Sequence, residues 1–215
     1  MTRFKICCIQ NPDEARLAIR YGATALGLVS AMPSGPGPIS EDHIAEIVRT
    51  IPAGIATFLL TSKQDAPSII QQQRKTRANT LQLVDSVSIE TYKELHDALH
   101  GIALVQVIHV RGPESVDEAI QVAPYVNGIL LDSGNPTAKI KELGGTGRVH
   151  DWSISRKIRE SVKVPVYLAG GLNPTNARTA IEQVQPFALD ICSGVRTNGA
   201  LDESKLAAFA RQVLA

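Results

Sequence analysis

Short apolar or β-branched runs alternate with helical patterning from one end of this chain to the other, and that alternation limits the folds available to it. Runs at 3–8, 25–29, 54–60, 79–84, 103–109, 128–132, 164–169 and 187–192 predict strands. Segments at 12–21, 40–50, 65–77, 88–99, 115–123, 152–161, 174–183 and 202–214 predict helices. Asn11-Pro12 and Asn173-Pro174 each place a capping side chain before a first-turn proline. Ser40 precedes Glu41 and Asp42, which suit the positive end of a helix dipole. The weakest helix is 65–77, because Gln71-Gln72-Gln73 supplies no apolar face. Eight strands and eight helices in 215 residues predict a (β/α)8 TIM barrel, one domain over residues 1–215. An open doubly wound sheet would want a Gly-rich turn after the first strand, and Cys7-Cys8-Ile9-Gln10-Asn11 stands there instead.

Composition narrows the function classes. A net charge of +1 gives no electrostatic reason to expect nucleic acid or an anionic membrane as partner. No apolar run approaches the ~20 residues of a membrane span, and the N-terminal residues carry no signal-peptide core. Three cysteines, two of them adjacent, make no disulfide framework and fit a reducing, cytoplasmic setting. His96 and His100 share a helix face, but no cysteine or carboxylate pattern turns them into a metal site, and none is expected.

Two strands end in ionisable groups. Arg3-Phe4-Lys5-Ile6-Cys7 brings a thiol, and Gly128-Ile129-Leu130-Leu131-Asp132 a carboxyl, to the end of a barrel where catalytic groups collect. Together they are a candidate acid/base pair facing one another across a mouth. Strand alternation puts Lys5 and Cys7 on one face and Cys8 on the other, away from the mouth. An inward Lys5 needs a carboxylate, and Asp190 on the last strand is the candidate; the lysine charge would also favour a Cys7 thiolate. Gly144-Gly145-Thr146-Gly147, Gly170-Gly171 and Ser193-Gly194 follow the last three strands. Glycines there let an anion approach backbone N–H groups, so a phosphate site is expected.

These pieces, with Gly22-Ala23-Thr24-Ala25-Leu26-Gly27-Leu28-Val29, Leu81-Gln82-Leu83, Asp151-Trp152 and Leu172-Asn173-Pro174-Thr175-Asn176, run in an order that resembles the phosphoribosylanthranilate isomerase family. The resemblance implies a barrel with neither metal nor organic cofactor. It implies the Amadori rearrangement of N-(5′-phosphoribosyl)anthranilate to its 1-deoxyribulose isomer, a step of tryptophan biosynthesis. By position, Cys7 would be the general base and Asp132 the general acid. Gly145, Thr146, Gly147, Gly170, Gly171, Ser193 and Gly194 would bind phosphate, with Gln82 in the substrate site. The partner implied is a small phosphorylated substrate, and the protein a monomer or homodimer.

Two stretches depart from the family pattern. Met32-Pro33-Ser34-Gly35-Pro36-Gly37-Pro38 puts Gly37 where the family carries an arginine that holds the anthranilate carboxylate. Val84-Asp85 replaces a His-Gly pair after strand 4. A glycine cannot supply the lost charge-assisted contact. Arg111, after strand 5, or Arg148, beside the Gly-Thr-Gly loop, is a candidate substitute, with an ordinary surface arginine the favoured reading of each. Gly37→Arg is expected to restore the contact if the loop allows. Three functions follow: the family isomerisation; an isomerase or lyase for another sugar phosphate lacking that carboxylate; or a non-catalytic barrel that binds a phosphorylated metabolite. Retention of both Cys7 and Asp132 speaks against the third.

Overall fold

The computed structural model describes residues 2–135, 137, 138, 141, 143 and 147–215. Among them, eight parallel strands close into a barrel in sequence order, as the alternation predicts. They are β1 (Arg3–Ile6), β2 (Ala25–Val29), β3 (Ala56–Thr61), β4 (Thr80–Leu83), β5 (Ala103–His109), β6 (Gly128–Asp132), β7 (Val166–Leu168) and β8 (Ala188–Ile191). Closure comes from β1 beside β8, where Lys5 stands opposite Asp190. The intervening helices are α1 (Pro12–Arg20), α2 (Glu41–Val48), α3 (Ala66–Thr76), α4 (Ile89–Ala98), α5 (Glu114–Val122), α6 (Trp152–Ser161), α7 (Ala177–Val184) and α8 (Glu203–Leu214).

Alternation sorts each strand between two cores. Phe4, Ile6, Leu26, Leu28, Leu59, Leu81, Ile129, Leu131 and Leu189 face the helices, packed with residues such as Leu206 and Phe209 of α8. Ala25, Phe58, Val105, Val107 and Leu130 fill the barrel. Strands buried on both faces need near-continuous apolar sequence, which is why β2 and β6 are buried throughout.

Asn11, Ser40, Asp65, Ser88 and Asp202 each accept a hydrogen bond from a first-turn N–H of the helix that follows. The glutamine run of α3 forms a helix because its buried carboxamides are satisfied. Gln72 Oε1 accepts from Thr61 at 2.6 Å while its Nε2 donates to Glu41 at 2.9 Å, and Gln73 Nε2 donates to the Ala78 carbonyl at 3.0 Å. The expected start of α7 is three residues early. Asn173 Oδ1 accepts from Thr175 N–H, making a local turn that includes Pro174, and the helix begins at Ala177. A short antiparallel pair follows β8: β9 (Arg196–Thr197) with β10 (Ala200–Leu201). No described helix is long and apolar enough to cross a membrane.

Candidate active site

Cys7 continues β1, its N–H donating to the Ile191 carbonyl at 2.8 Å, and its thiol is buried at the C-terminal mouth. Two residues back, Lys5 is fully buried inside the barrel, with its ammonium 2.7 Å from Asp190 Oδ2 and 5.1 Å from the centre of the Phe58 ring. Burial works against the Lys5 charge, but the Asp190 carboxylate and the neighbouring Cys7 more than offset it, so Lys5 remains protonated. The pairing of Lys5 with Asp190 is the one the alternation required.

Cys8 departs from its expected direction. The regular strand ends at Ile6, and Cys8 takes a positive φ of 62°, which turns its side chain back toward the mouth, where it joins the inner cluster with Cys7. Alternation holds only while the backbone stays extended. The Cys8 and Cys192 sulfurs are 2.6 Å apart, and Cys8 Sγ donates to the Pro36 carbonyl at 3.6 Å.

Asp132 closes β6, opposite His109 of β5. Its Oδ1 accepts from Ser133 N–H at 2.8 Å. Burial pushes the carboxyl above the usual carboxylate range and nearby Asp190 adds to this; the Ser133 N–H and His109 oppose it without reversing it. A carboxyl shifted toward its protonated form is better suited to donate a proton. Cys7, Asp132 and Gln82 line one cavity with Asp190, Cys192, Ser193, Gly170 and Gly171. Gln82 is buried, and its Oε1 has no hydrogen-bond partner among the described residues.

The side of this cavity formed by β7 and β8 is made of backbone. Gly170 and Gly171 have φ of 83° and 63°, and residues 148–149 cross directly over them: a Cβ on Gly171 would lie 2.7 Å from the Arg148 carbonyl carbon. Gly194 belongs to a single 3-10 turn, Ser193–Val195, and a Cβ there would lie 2.1 Å from the Leu172 carbonyl oxygen. Gly147, with φ of 70°, also borders the cavity. Gly145 and Thr146 lie outside the described residues.

The opposite side is closed by side chains from three loops. Met32, Ser34, Gly35 and Pro36 come from the loop after β2, Val84 follows β4, and Leu143 comes from the loop after β6. Ser34 Oγ donates to the Lys141 carbonyl at 2.6 Å, and the Lys141 ammonium pairs with Asp85. Gly37 adjoins the lining residue Pro36 but packs against Cys8: its φ is 84°, and a Cβ there would lie 2.6 Å from Cys8 Cβ. Arg111 is exposed and donates to Thr137 Oγ1 at 3.3 Å, and Arg148 contributes its backbone to the cover over Gly171. The acidic side chains among the described lining residues are Asp132 and Asp190, the latter paired with Lys5.

Beneath Cys7 is an ion pair that sequence reasoning missed. Arg196 Nη1 donates to Glu14 Oε1 at 2.9 Å, while Nη2 donates to the Cys8 and Cys7 carbonyls at 2.6 and 3.2 Å. Glu14 also accepts the N–H groups of Leu201 and Gln10. Burial alone would raise the Glu14 carboxyl, but the Arg196 bond and these N–H groups bring it below its ordinary value. The pair ties α1 and the β9–β10 turn to the end of β1. Nothing in the local pattern signals it, because Glu14 is on α1 and Arg196 lies past the end of β8, so no strand register relates the two.

Residues 4–212 match the model of the family described as N-(5′-phosphoribosyl)anthranilate (PRA) isomerase. The chain is 34% identical over 195 residues to an N-(5′-phosphoribosyl)anthranilate isomerase of Methanocella arvoryzae, covering 91% of this chain and 89% of that one. It resembles a phosphoribosyl anthranilate isomerase structure from Thermotoga maritima with a TM-score of 0.85 at 28% identity, over 100% of this chain and 99% of that one. A structure of such an isomerase in complex with reduced 1-(o-carboxyphenylamino)-1-deoxyribulose 5-phosphate is also similar, with a TM-score of 0.83 at 26% identity, covering 100% and 99% of the two chains. A match spanning nearly all of the sequence, on the same barrel, means that this chain belongs to the N-(5′-phosphoribosyl)anthranilate isomerase family.

Proposed function

We propose that this chain catalyses the Amadori rearrangement of N-(5′-phosphoribosyl)anthranilate in tryptophan biosynthesis. The observation that carries the reading is the meeting of Cys7 and Asp132 in one cavity, with burial holding the Asp132 carboxyl toward its protonated form. Asp132 gives its proton to the furanose ring oxygen, and the ring opens to a Schiff base. The Cys7 thiolate then removes the C2′ proton, and the resulting enolamine tautomerises to the ketone. Lys5, charged and buried beside Cys7, supplies positive potential to that step. The substrate phosphate lies against the backbone around Gly147, Gly170, Gly171, Ser193 and Gly194, and the sequence assigns Gly145 and Thr146 the same role. Gln82 offers its Oε1, which has no partner among the described residues, to the sugar. The chemistry asks for no cofactor, and the protein acts as a cytoplasmic monomer or homodimer.

The second reading, a related sugar phosphate without the anthranilate carboxylate, is favoured by the lack of an arginine or lysine among the described lining residues and by Gly37 in place of the family arginine. One assay separates the two. Freshly generated phosphoribosylanthranilate should lose its anthranilate-type fluorescence at a rate proportional to enzyme. No turnover, alongside retained binding of inorganic phosphate at the mouth, would shift the assignment to the second reading.

A further inference from the structure

Three thiols meet at the mouth, and the isomerisation uses only one of them. Cys8 adopts φ of 62°, a conformation uncommon for any residue but glycine. Its sulfur is 2.6 Å from that of Cys192, although the two residues are 184 apart in sequence. Their accessibilities differ: Cys8 is buried beneath Pro36 and Gly37, whereas Cys192 is partly exposed and borders the cavity. Each lies next to working backbone, Cys8 following Cys7 and Cys192 preceding Ser193. We propose that Cys8 and Cys192 are a peroxide-responsive thiol pair, converted to an intramolecular disulfide that slows the enzyme reversibly.

The chemistry balances with hydrogen peroxide as oxidant. The Cys192 thiolate attacks one peroxide oxygen, the O–O bond breaks, and hydroxide leaves and takes up a proton as water. The Cys8 sulfur then attacks the Cys192 sulfenic acid, an S–S bond forms, and the sulfenate oxygen departs as a second water. Two thiols and one peroxide give one disulfide and two waters. The order of attack follows the surroundings. The hydrogen bond with Cys8 lowers the Cys192 thiol against the cost of burial, and the Arg196 charge helps. Cys8 is held up by its hydrogen bonds to Cys192 and Cys7 and by burial, so it waits as the resolving thiol. The bond would tie the segment carrying Cys7 to the segment carrying Ser193, and small displacements of reacting groups cost rate steeply.

The test is titration of the reduced, full-length protein with one equivalent of hydrogen peroxide, followed by non-reducing peptide mapping. The expected product is a Cys8–Cys192 linked peptide pair, with turnover down on the order of tenfold and restored by dithiothreitol. Cys8→Gly suits the local backbone and should fold; it should leave a Cys192 sulfenic acid that dimedone traps. The activity arm rests on the proposed isomerisation, whereas the peptide map does not. A Cys7–Cys8 link, an intermolecular link, or no link at all would overturn the pairing. Full activity in completely linked enzyme would overturn its control of turnover.

Discussion

The two sides of the mouth are built from different materials. On the β7–β8 side, backbone packs on backbone: residues 148–149 lie over Gly171, and the Leu172 carbonyl lies where any side chain on Gly194 would begin. On the other side, loops are joined by side chains, through Ser34 to Lys141 and Lys141 to Asp85, over the apolar Met32, Val84 and Leu143. A wall of close-packed glycine backbone has few alternatives, because almost any side chain would collide with a main-chain atom. Loops joined by exposed polar contacts can exchange partners at small cost. The constrained half leaves little room for substitution, and Val84 and Asp85 lie in the adaptable half.

The largest effects should come where the two halves meet. Cys7→Ser and Asp132→Asn should each lower turnover of phosphoribosylanthranilate by ~10²–10⁴-fold, with little change in thermal midpoint. Because Asp132 acts when protonated and its ionisation is shifted upward, kcat/KM should fall as pH rises through that ionisation. A limb that persists in Asp132→Asn would assign it to another group.

Glu14→Gln should cost about 3–5 kcal/mol of stability, since it strands the buried Arg196 guanidinium beneath Cys7. The Glu14 carboxyl is depressed in the folded protein, so its contribution is complete above the unfolded value of about 4.3 and is lost as pH falls through the folded value. Denaturant unfolding at neutral and acid pH should show the gap between wild type and variant closing in acid. An equal gap at both would assign the loss to packing.

Gly194→Ala probes the backbone-built side directly. The added methyl should cost about 1–3 kcal/mol and weaken phosphate binding, read by calorimetry. Unchanged phosphate affinity would remove this turn from the anion site. On the other side, Gly37→Arg is expected to lose stability in the same range and to leave KM no better, because its Cβ would press on Cys8 at a positive φ. This reverses what position in the sequence suggested; a lowered KM would mean that the loop re-forms to admit the charge. Smallest of all, Ser34→Ala removes one loop-to-loop hydrogen bond, worth about 0.5–1.5 kcal/mol. It should alter KM for the aromatic substrate more than phosphate affinity. The opposite order would mean that the two sides are mechanically coupled.

Much of the architecture was legible in the residues, because period and capping are local properties. Strand after strand falls at its apolar run, and even α3 forms where its glutamines argued against it. The Lys5–Asp190 pair was also within reach, since a lysine on an inward face demands a carboxylate from the neighbouring strand. Local rules failed at chain reversals. Asn173 caps a turn and not α7, and Cys8 leaves the strand direction one residue after Cys7.

The sequence alone determined the barrel, the strand ends that carry Cys7 and Asp132, and the glycines behind them, because spacing along the chain encodes which face a residue takes. Only the tertiary structure decided that Cys8 and Cys192 meet, that Arg196 and Glu14 brace the end of β1, and that Gly37 is filled by a neighbour and has no room for an arginine. The first two depend on how barrel closure brings the two ends of the chain together, and the third on the loop after β2 folding back over the end of β1. Lys5 and Asp190 could be paired because both lie on strands whose inward face alternation fixes, whereas Cys8, Cys192, Glu14 and Arg196 lie beyond the strand ends or on a helix, where no register links them.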